Sequence, residues 1–178
     1  MAQRVMIAIA TALNPSVLIF DEPTSALDVT VQAAILEDMA QLQERHGTSI
    51  ILISHDLGVV AQMADSVAVM YAGQIAEYAD AETLFRSPRH PYTASLLASR
   101  PRLDQESKGR LAAIKGTPPS LIDLPDECAF LPRCHKATSE CRSESAPELL
   151  PAGPAAHVAA CYNPMYREDE GTAARRSA

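Results

Sequence analysis

Asp21 and Glu22 stand side by side after the apolar run Val17-Leu18-Ile19-Phe20, and a turn beginning at Pro23 follows them. An aspartate at such a strand end can hold a Mg²⁺ ion directly or through water, because hard cations take oxygen ligands. A glutamate one residue on points elsewhere and can poise a water as general base. The pair therefore suits metal-dependent hydrolysis of a nucleotide. His55, in Ser54-His55-Asp56, closes a second apolar run, Ser49 to Ile53. Each group has an ordinary structural reading as well. An Asp-Glu pair before proline is commonly a helix start or solvated turn, and a histidine behind a buried strand commonly caps or fills a core.

Four cysteines offer a second chemistry. Cys128, Cys134, Cys141 and Cys161 are all the cysteines of the chain, separated by five, six and nineteen residues. Thiols so confined share one job or none. Disulfides suit an oxidising compartment. Structural zinc sites usually show cysteine pairs two to four residues apart, which this segment lacks. An iron–sulfur cluster takes four thiolates around a larger core and tolerates wider spacing. Four small buried hydrophobes are the plain alternative. His135 and His157 lie near enough in sequence to substitute as ligands, although lone histidines more commonly pack or face solvent. Arg133, Lys136 and Arg142 could offset cluster charge or simply be solvated.

The elements that must position these groups follow from periodicity. The apolar run before Asp21 predicts a strand covered on both faces, as in a parallel α/β sheet, whose ligands sit at the carboxyl ends of the strands. Val5 to Leu13 reads as a buried helix ending at Asn14-Pro15, where proline forbids continuation. Val29 to His46 carries Val31, Ile35, Met39 and Leu42 at three- and four-residue spacing, an amphipathic helix that Gly47 is placed to end. Leu57 to Ala64 predicts a short helix. Ser66 to Tyr71 and Gln74 to Tyr78 predict a hairpin turning at Ala72-Gly73. Asp80 fits an N-cap for Ala81 to Arg86, with Glu82 and Glu77 near the helix start. Pro88-Arg89-His90-Pro91-Tyr92-Thr93 opens a helix to about Ser99, and 100–115 reads as a charged linker with a short helix near Gln105 to Ala113. From Gly116 the chain is rich in proline and turn formers and needs a staple. The polar tail from Glu168 is expected to be disordered.

Composition narrows the partners. With 178 residues, 47% hydrophobic content and a formal charge of −7, the chain has a globular character and no basic footprint for nucleic acid. Arg4 before Val5 to Leu13 superficially fits a secretory signal, but the helix reading suits its neighbours better. No apolar stretch approaches the ~18 residues that span a bilayer, so membrane association is expected through a partner.

The eight residues Asp21-Glu22-Pro23-Thr24-Ser25-Ala26-Leu27-Asp28 resemble the Walker B and D-loop segment of ATP-binding-cassette (ABC) ATPases in full, and Ser54-His55-Asp56 is similar in register to the switch-histidine segment. Met1-Ala2-Gln3-Arg4-Val5 resembles the residues that follow the Leu-Ser-Gly-Gly signature, which is itself absent, as is any G-x-x-x-x-G-K-[ST] phosphate loop. The resemblance is thus to the second half of a nucleotide-binding domain, with a fragment favoured over a truncated gene. It implies that Asp21 helps hold Mg²⁺, that Glu22 deprotonates the attacking water and that His55 contacts the γ-phosphate of ATP. It also implies that Ser25 and Asp28 lie on the nucleotide side, Asp28 communicating across a dimer of two such domains.

His90-Pro91-Tyr92 behind a hairpin of this kind resembles the extension of the oligopeptide and dipeptide importer subfamily. There, a cysteine-bearing extension is associated with a [4Fe–4S] cluster, so the resemblance points the four cysteines to that group. The expected fold is α/β, the C-terminal part of an ABC nucleotide-binding domain over 1–86. A loop-rich, cysteine-containing extension follows over 87–164, and then a tail over 165–178. The implied protein is an ATP-hydrolysing importer subunit on the cytoplasmic face of the membrane. Its partners would be a second ATPase subunit, membrane permease subunits and, indirectly, a solute-binding protein. Without phosphate loop and signature, this chain alone is expected to be inactive. A non-catalytic remnant acting as a metal-binding or interaction module is the alternative, and a soluble ABC ATPase a weaker third reading.

Overall fold

The computed structural model describes residues 2–25, 27–99, 113–154 and 156–166. They fall into two compact units divided between Ala64 and Asp65. The expected helix near 105–113 lies outside the described residues except for Ala113, and so does the tail from Glu168.

In the first unit, α1 (Ala2–Thr11), β1 (Val17–Asp21), α2 (Val29–His46), β2 (Ser49–Ile53) and α3 (Leu57–Met63) alternate as helix and strand. β1 and β2 pair in parallel, with Val17 opposite Ser49 and Asp21 opposite Ile53, so both strands end at the same edge. Helix α2 has the predicted bounds and the predicted glycine stop, and it gains an aspartate cap as well. The Asp28 side chain accepts from the Val31 N–H at 2.9 Å, satisfying one of the free donors of the first turn. Gly47 closes the helix with φ +62°, a left-handed conformation that costs glycine little. One α2 face buries Ile35, Leu36 and Met39 against Leu18, Phe20 and Val59, with Ile7, Ile50 and Leu52 alongside.

Two expectations fail in this unit. β1 is covered on one face only: Leu18 and Phe20 are buried, whereas Val17, Ile19 and, on β2, Ile51 and Ile53 are exposed. Helix α1 exists but is not buried; Val5, Met6, Ile9 and Leu13 are exposed, and Ile7 carries its contact with the core. In both cases the apolar pattern is that of a two-sided burial, and among the described residues only one side has a partner.

The second unit begins with β3 (Ser66–Tyr71) and β4 (Gln74–Asp80), an antiparallel hairpin closed by Ala72 and Gly73 at φ +50° and +80°. Two positive values in a two-residue loop match the twist of the flanking strands. α4 (Ala81–Arg86) is capped by Asp80, which accepts from the Thr83 N–H at 2.9 Å. α5 (Pro91–Ala98) starts with proline at its first turn, where the missing N–H costs nothing. After a 3₁₀ turn at Leu131–Arg133 and the short α6 (Glu140–Ser143) come β5 (Leu150–Pro151) and β6 (Val158–Ala159). β6 pairs with β4, giving the order β3-β4-β6-β5. These two-residue strands carry too little periodicity to be read from sequence. The composition changes at 87, but packing divides the chain earlier, because β6 joins the hairpin to the cysteine segment.

Candidate functional site

At the shared strand edge, the structure joins Glu22 to His55. The Glu22 N–H donates to the Ile53 carbonyl at 2.9 Å, which carries the residue just past the strand end alongside β2. Its carboxylate then meets the next strand's exit: Oε1 lies 2.8 Å from His55 Nδ1 and accepts from the His55 N–H at 3.1 Å. Glu22 has φ +48°, a left-handed conformation that costs a β-carbon-bearing residue on the order of 1 to 3 kcal/mol and that clusters at functional sites. The hydrogen bond from Glu22, and then its charge, hold the His55 pKa above the usual 6.5. At 79% exposure of the His55 side chain, solvent screens the pair, so it contributes little stability and breaks easily.

Asp21 is exposed at the last position of β1. Ser25 is exposed and its N–H donates to the Glu22 carbonyl at 3.2 Å, tightening the turn. Asp28 caps α2, a role distinct from the nucleotide-side one the resemblance implies. Asp56, which follows His55, caps α3 through Gly58 and Val59, and accepts from Gln32 Nε2 at 3.4 Å. Gln32 thereby ties the start of α2 to the turn after β2.

In the second unit, Cys128, Cys134, Cys141 and Cys161 line one cavity, together with His90, Phe130, Leu131 and Lys136. Their sulfurs have polar neighbours. The Cys128 thiol faces the Phe130 and Leu131 amides, Cys134 that of Lys136 and Cys161 that of Asn163. Cys141 Sγ lies 3.3 Å from Thr138 Oγ1. Burial dominates nonetheless, raising the pKa of Cys128 and Cys134 and pushing Cys161 up to about 11. Among the described residues, no group of three or more His, Cys, Asp or Glu converges closely enough to hold a metal ion.

Glu77, expected as a charge near a helix start, is instead wholly buried, and His157 takes the packing role that a lone histidine more commonly has. Glu77 Oε1 accepts from the Arg89 N–H at 2.6 Å and lies 2.7 Å from His157 Nε2, while Oε2 accepts from the His90 N–H at 2.9 Å. A carboxylate bonded at both oxygens is how a buried charge is tolerated. His90 is also buried: burial drops its pKa to about 4, and its Nδ1 accepts from the Tyr92 N–H at 3.0 Å. Tyr92 packs at 4.6 Å from Tyr71 and 5.5 Å from Phe130, ring centroid to centroid.

Two family models match this chain. One, described as the C-terminal region of oligopeptide/dipeptide transporters, covers residues 76–141, which include Glu77, His90 and three of the cysteines. The other, described as an AAA domain of a putative AbiEii toxin, type IV toxin–antitoxin system, covers residues 3–61. The oligopeptide transport ATP-binding protein AppD of Bacillus subtilis is 54% identical over 84% of this chain and 45% of its own length. The dipeptide transport ATP-binding protein DppD of Escherichia coli is 50% identical over 81% and 44%, and OppD of B. subtilis 59% identical over 73% and 36%. The chain belongs to the ATP-binding subunits of oligopeptide/dipeptide ABC transporters. It spans about half the length of the curated relatives it matches, or somewhat less.

Within this ABC family chain, the sequence signals differ in strength between the two units. Glu22 and His55 are legible because each follows an apolar strand run. The Glu77–His157 pair is not legible, because its members are 80 residues apart and polar residues rarely announce burial. The one local cue was a glutamate in the middle of a hairpin strand, flanked by Ile75 and Ala76 on one side and Tyr78 and Ala79 on the other. No helix among the described residues is long and apolar enough to cross a membrane.

Proposed function

We propose that the protein containing this chain hydrolyses ATP to drive import of oligopeptides or dipeptides, and that the chain supplies the γ-phosphate side of the site. The observation that carries the reading is the Glu22–His55 pair at the common end of two parallel strands, one residue beyond Asp21. Glu22 orients and deprotonates the attacking water. His55 releases Glu22 when phosphate arrives, and the γ-phosphate charge then takes the place of the Glu22 carboxylate in favouring the protonated ring that stabilises it. Asp21, an exposed hard-oxygen donor, suits Mg²⁺, which needs one or two carboxylates and takes its remaining ligands from phosphates and water. Ser25 and Asp28 shape the turn facing the nucleotide, and Asp28 reaches toward a second ATPase subunit. Phosphoryl transfer depends on positioning and charge stabilisation, so the chain alone, without a phosphate loop or signature in its sequence, is inactive. Permease subunits in the membrane and, through them, a solute-binding protein would complete the importer, with this subunit on the cytoplasmic face.

The four cysteines fit a [4Fe–4S] cluster better than a single zinc ion. Zinc needs its thiolates ~3.8 Å apart around one centre, given Zn–S bonds near 2.3 Å in a tetrahedron. Here four thiols share a cavity without converging on a single-ion site. Amide and hydroxyl groups already face the sulfurs, the outer-shell contacts that orient such ligands. When bound, a cluster would supply the cross-link that a loop-rich segment lacks.

The test uses the full-length subunit assembled with its permease. Glu22→Gln should lower ATP turnover by ~10²- to 10⁴-fold while retaining bound ATP; unchanged turnover removes Glu22 from the role. Iron and acid-labile sulfide assays on anaerobically purified protein decide the cysteine reading.

A further inference from the structure

Three basic side chains stand among the cysteines, and the fold uses them differently. Arg133 turns its guanidinium to the Lys115 and Ile114 carbonyls and the Tyr71 hydroxyl, at 3.0, 3.2 and 3.1 Å. Arg142 is exposed on α6. Of the three, only Lys136 lines the cavity that holds all four thiols. Its Nζ donates to the Pro164 carbonyl at 3.0 Å, and its own carbonyl accepts from Asn163 Nδ2, also at 3.0 Å. Each segment thus offers one side chain to the other's backbone. Lys136 stands two residues after Cys134 and Asn163 two residues after Cys161, and all four line the cavity. Cys161 lies nineteen residues beyond its nearest cysteine neighbour and shares no local turn with the others. Elsewhere its segment is held by parts of the fold that carry no cysteine. The Ala160 N–H donates to the Ala76 carbonyl on β4 at 2.9 Å, and the Met165 N–H to the Arg89 carbonyl before α5 at 2.7 Å. The Tyr162 hydroxyl adds an exposed bond to the Ser145 carbonyl at 3.1 Å.

We propose that Lys136 and Asn163 are positioning residues that act as one clasp: their two crossed hydrogen bonds hold the Cys161 segment against the Cys134 loop, so that the distant fourth thiol faces the cavity of the other three. The purpose of the clasp rests on the reading of the cysteines as cluster ligands, but its geometry does not. A lysine that acted only through its charge would need neither bond. The clasp needs both, and one of them comes from an uncharged amide.

Two variants separate these roles. Lys136→Met keeps the apolar stem and loses the charge and the bond to Pro164; Asn163→Ala loses the other bond and no charge. The first measurement is the alkylation rate of each cysteine by iodoacetamide on the metal-free, reduced full-length subunit, resolved by mass spectrometry. Both variants should speed alkylation of Cys161 and Cys134 by about five- to tenfold and leave Cys128 and Cys141 within about twofold, as expected when one hydrogen bond governs a local opening. A charge effect alone has the opposite sign, because removing a nearby cation disfavours the reactive thiolate and slows the reaction. Slower alkylation in Lys136→Met, an unchanged Cys161 in Asn163→Ala, or equal acceleration of all four thiols overturns the proposal. If Lys136→Met does not fold, Asn163→Ala decides alone. The second measurement is iron and sulfide content and the half-life of the visible absorbance against a chelator. Both variants should lose the cluster several-fold faster than the parent, and parent-like half-lives in both overturn the positioning role. If the parent takes up no iron, the cluster reading fails, and the alkylation pattern still decides whether the clasp holds Cys161.

Discussion

Glu22 is held by two constraints at once, a left-handed backbone and a bond to His55, and the proposed role of a general base needs its carboxylate free of the second. A screened, exposed pair is a suitable latch, since it orients the carboxylate without costing much to open. The raised pKa of His55 gives the latch a pH dependence. A pKa that is higher in the folded than in the unfolded chain stabilises the fold fully below about pH 6.5, and that contribution is lost as pH rises through the folded value. NMR titration should therefore place the His55 midpoint above 6.5 in the parent and return it toward 6.5 in Glu22→Gln. An unshifted parent midpoint would mean that the two side chains do not meet in solution.

At the scale of elements, caps and one buried carboxylate hold the framework. Asp28 closes the first turn of α2, so Asp28→Ala should cost about 1 kcal/mol in denaturant unfolding, whatever its role toward nucleotide. Glu77 joins β4 to the turn before α5 and to His157 beside β6. Glu77→Ala strands two buried amides and a buried imidazole, and should destabilise the second unit by about 3 to 5 kcal/mol. A change below about 1 kcal/mol would show that the network is dispensable. The helices and the hairpin were readable at this scale because their signals are local: the apolar spacing of α2 up to Gly47, the turn at Ala72-Gly73, the Asp80 cap. β5 and β6 were not readable, being two residues each and defined only by the strand they meet.

For the whole molecule, the bare side of the β1–β2 sheet and the outer side of α1 leave Val17, Ile19, Ile51, Met6 and Ile9 exposed. Parallel strands are ordinarily covered on both faces, so the isolated chain should bind a hydrophobic dye or self-associate in sedimentation. It should also show no micromolar affinity for ATP by calorimetry, because positioning of the phosphates is missing from its sequence. Micromolar binding would locate a phosphate site that the carboxylate edge does not provide.

Residue order alone was enough for the family and for the type of most elements, because strand runs, helical spacing, caps and turn residues act over a few positions. The eight residues from Asp21 to Asp28, with His55, carried the family resemblance before any coordinates. Folding in three dimensions decided the rest. It paired Glu22 with His55 across 33 residues, left one sheet face bare, drove Glu77 and His157 into the interior, and brought the His-Pro-Tyr turn to the cysteine cavity. Each of these depends on which distant segments share a surface, and burial and hydrogen-bond satisfaction are settled only when those surfaces meet.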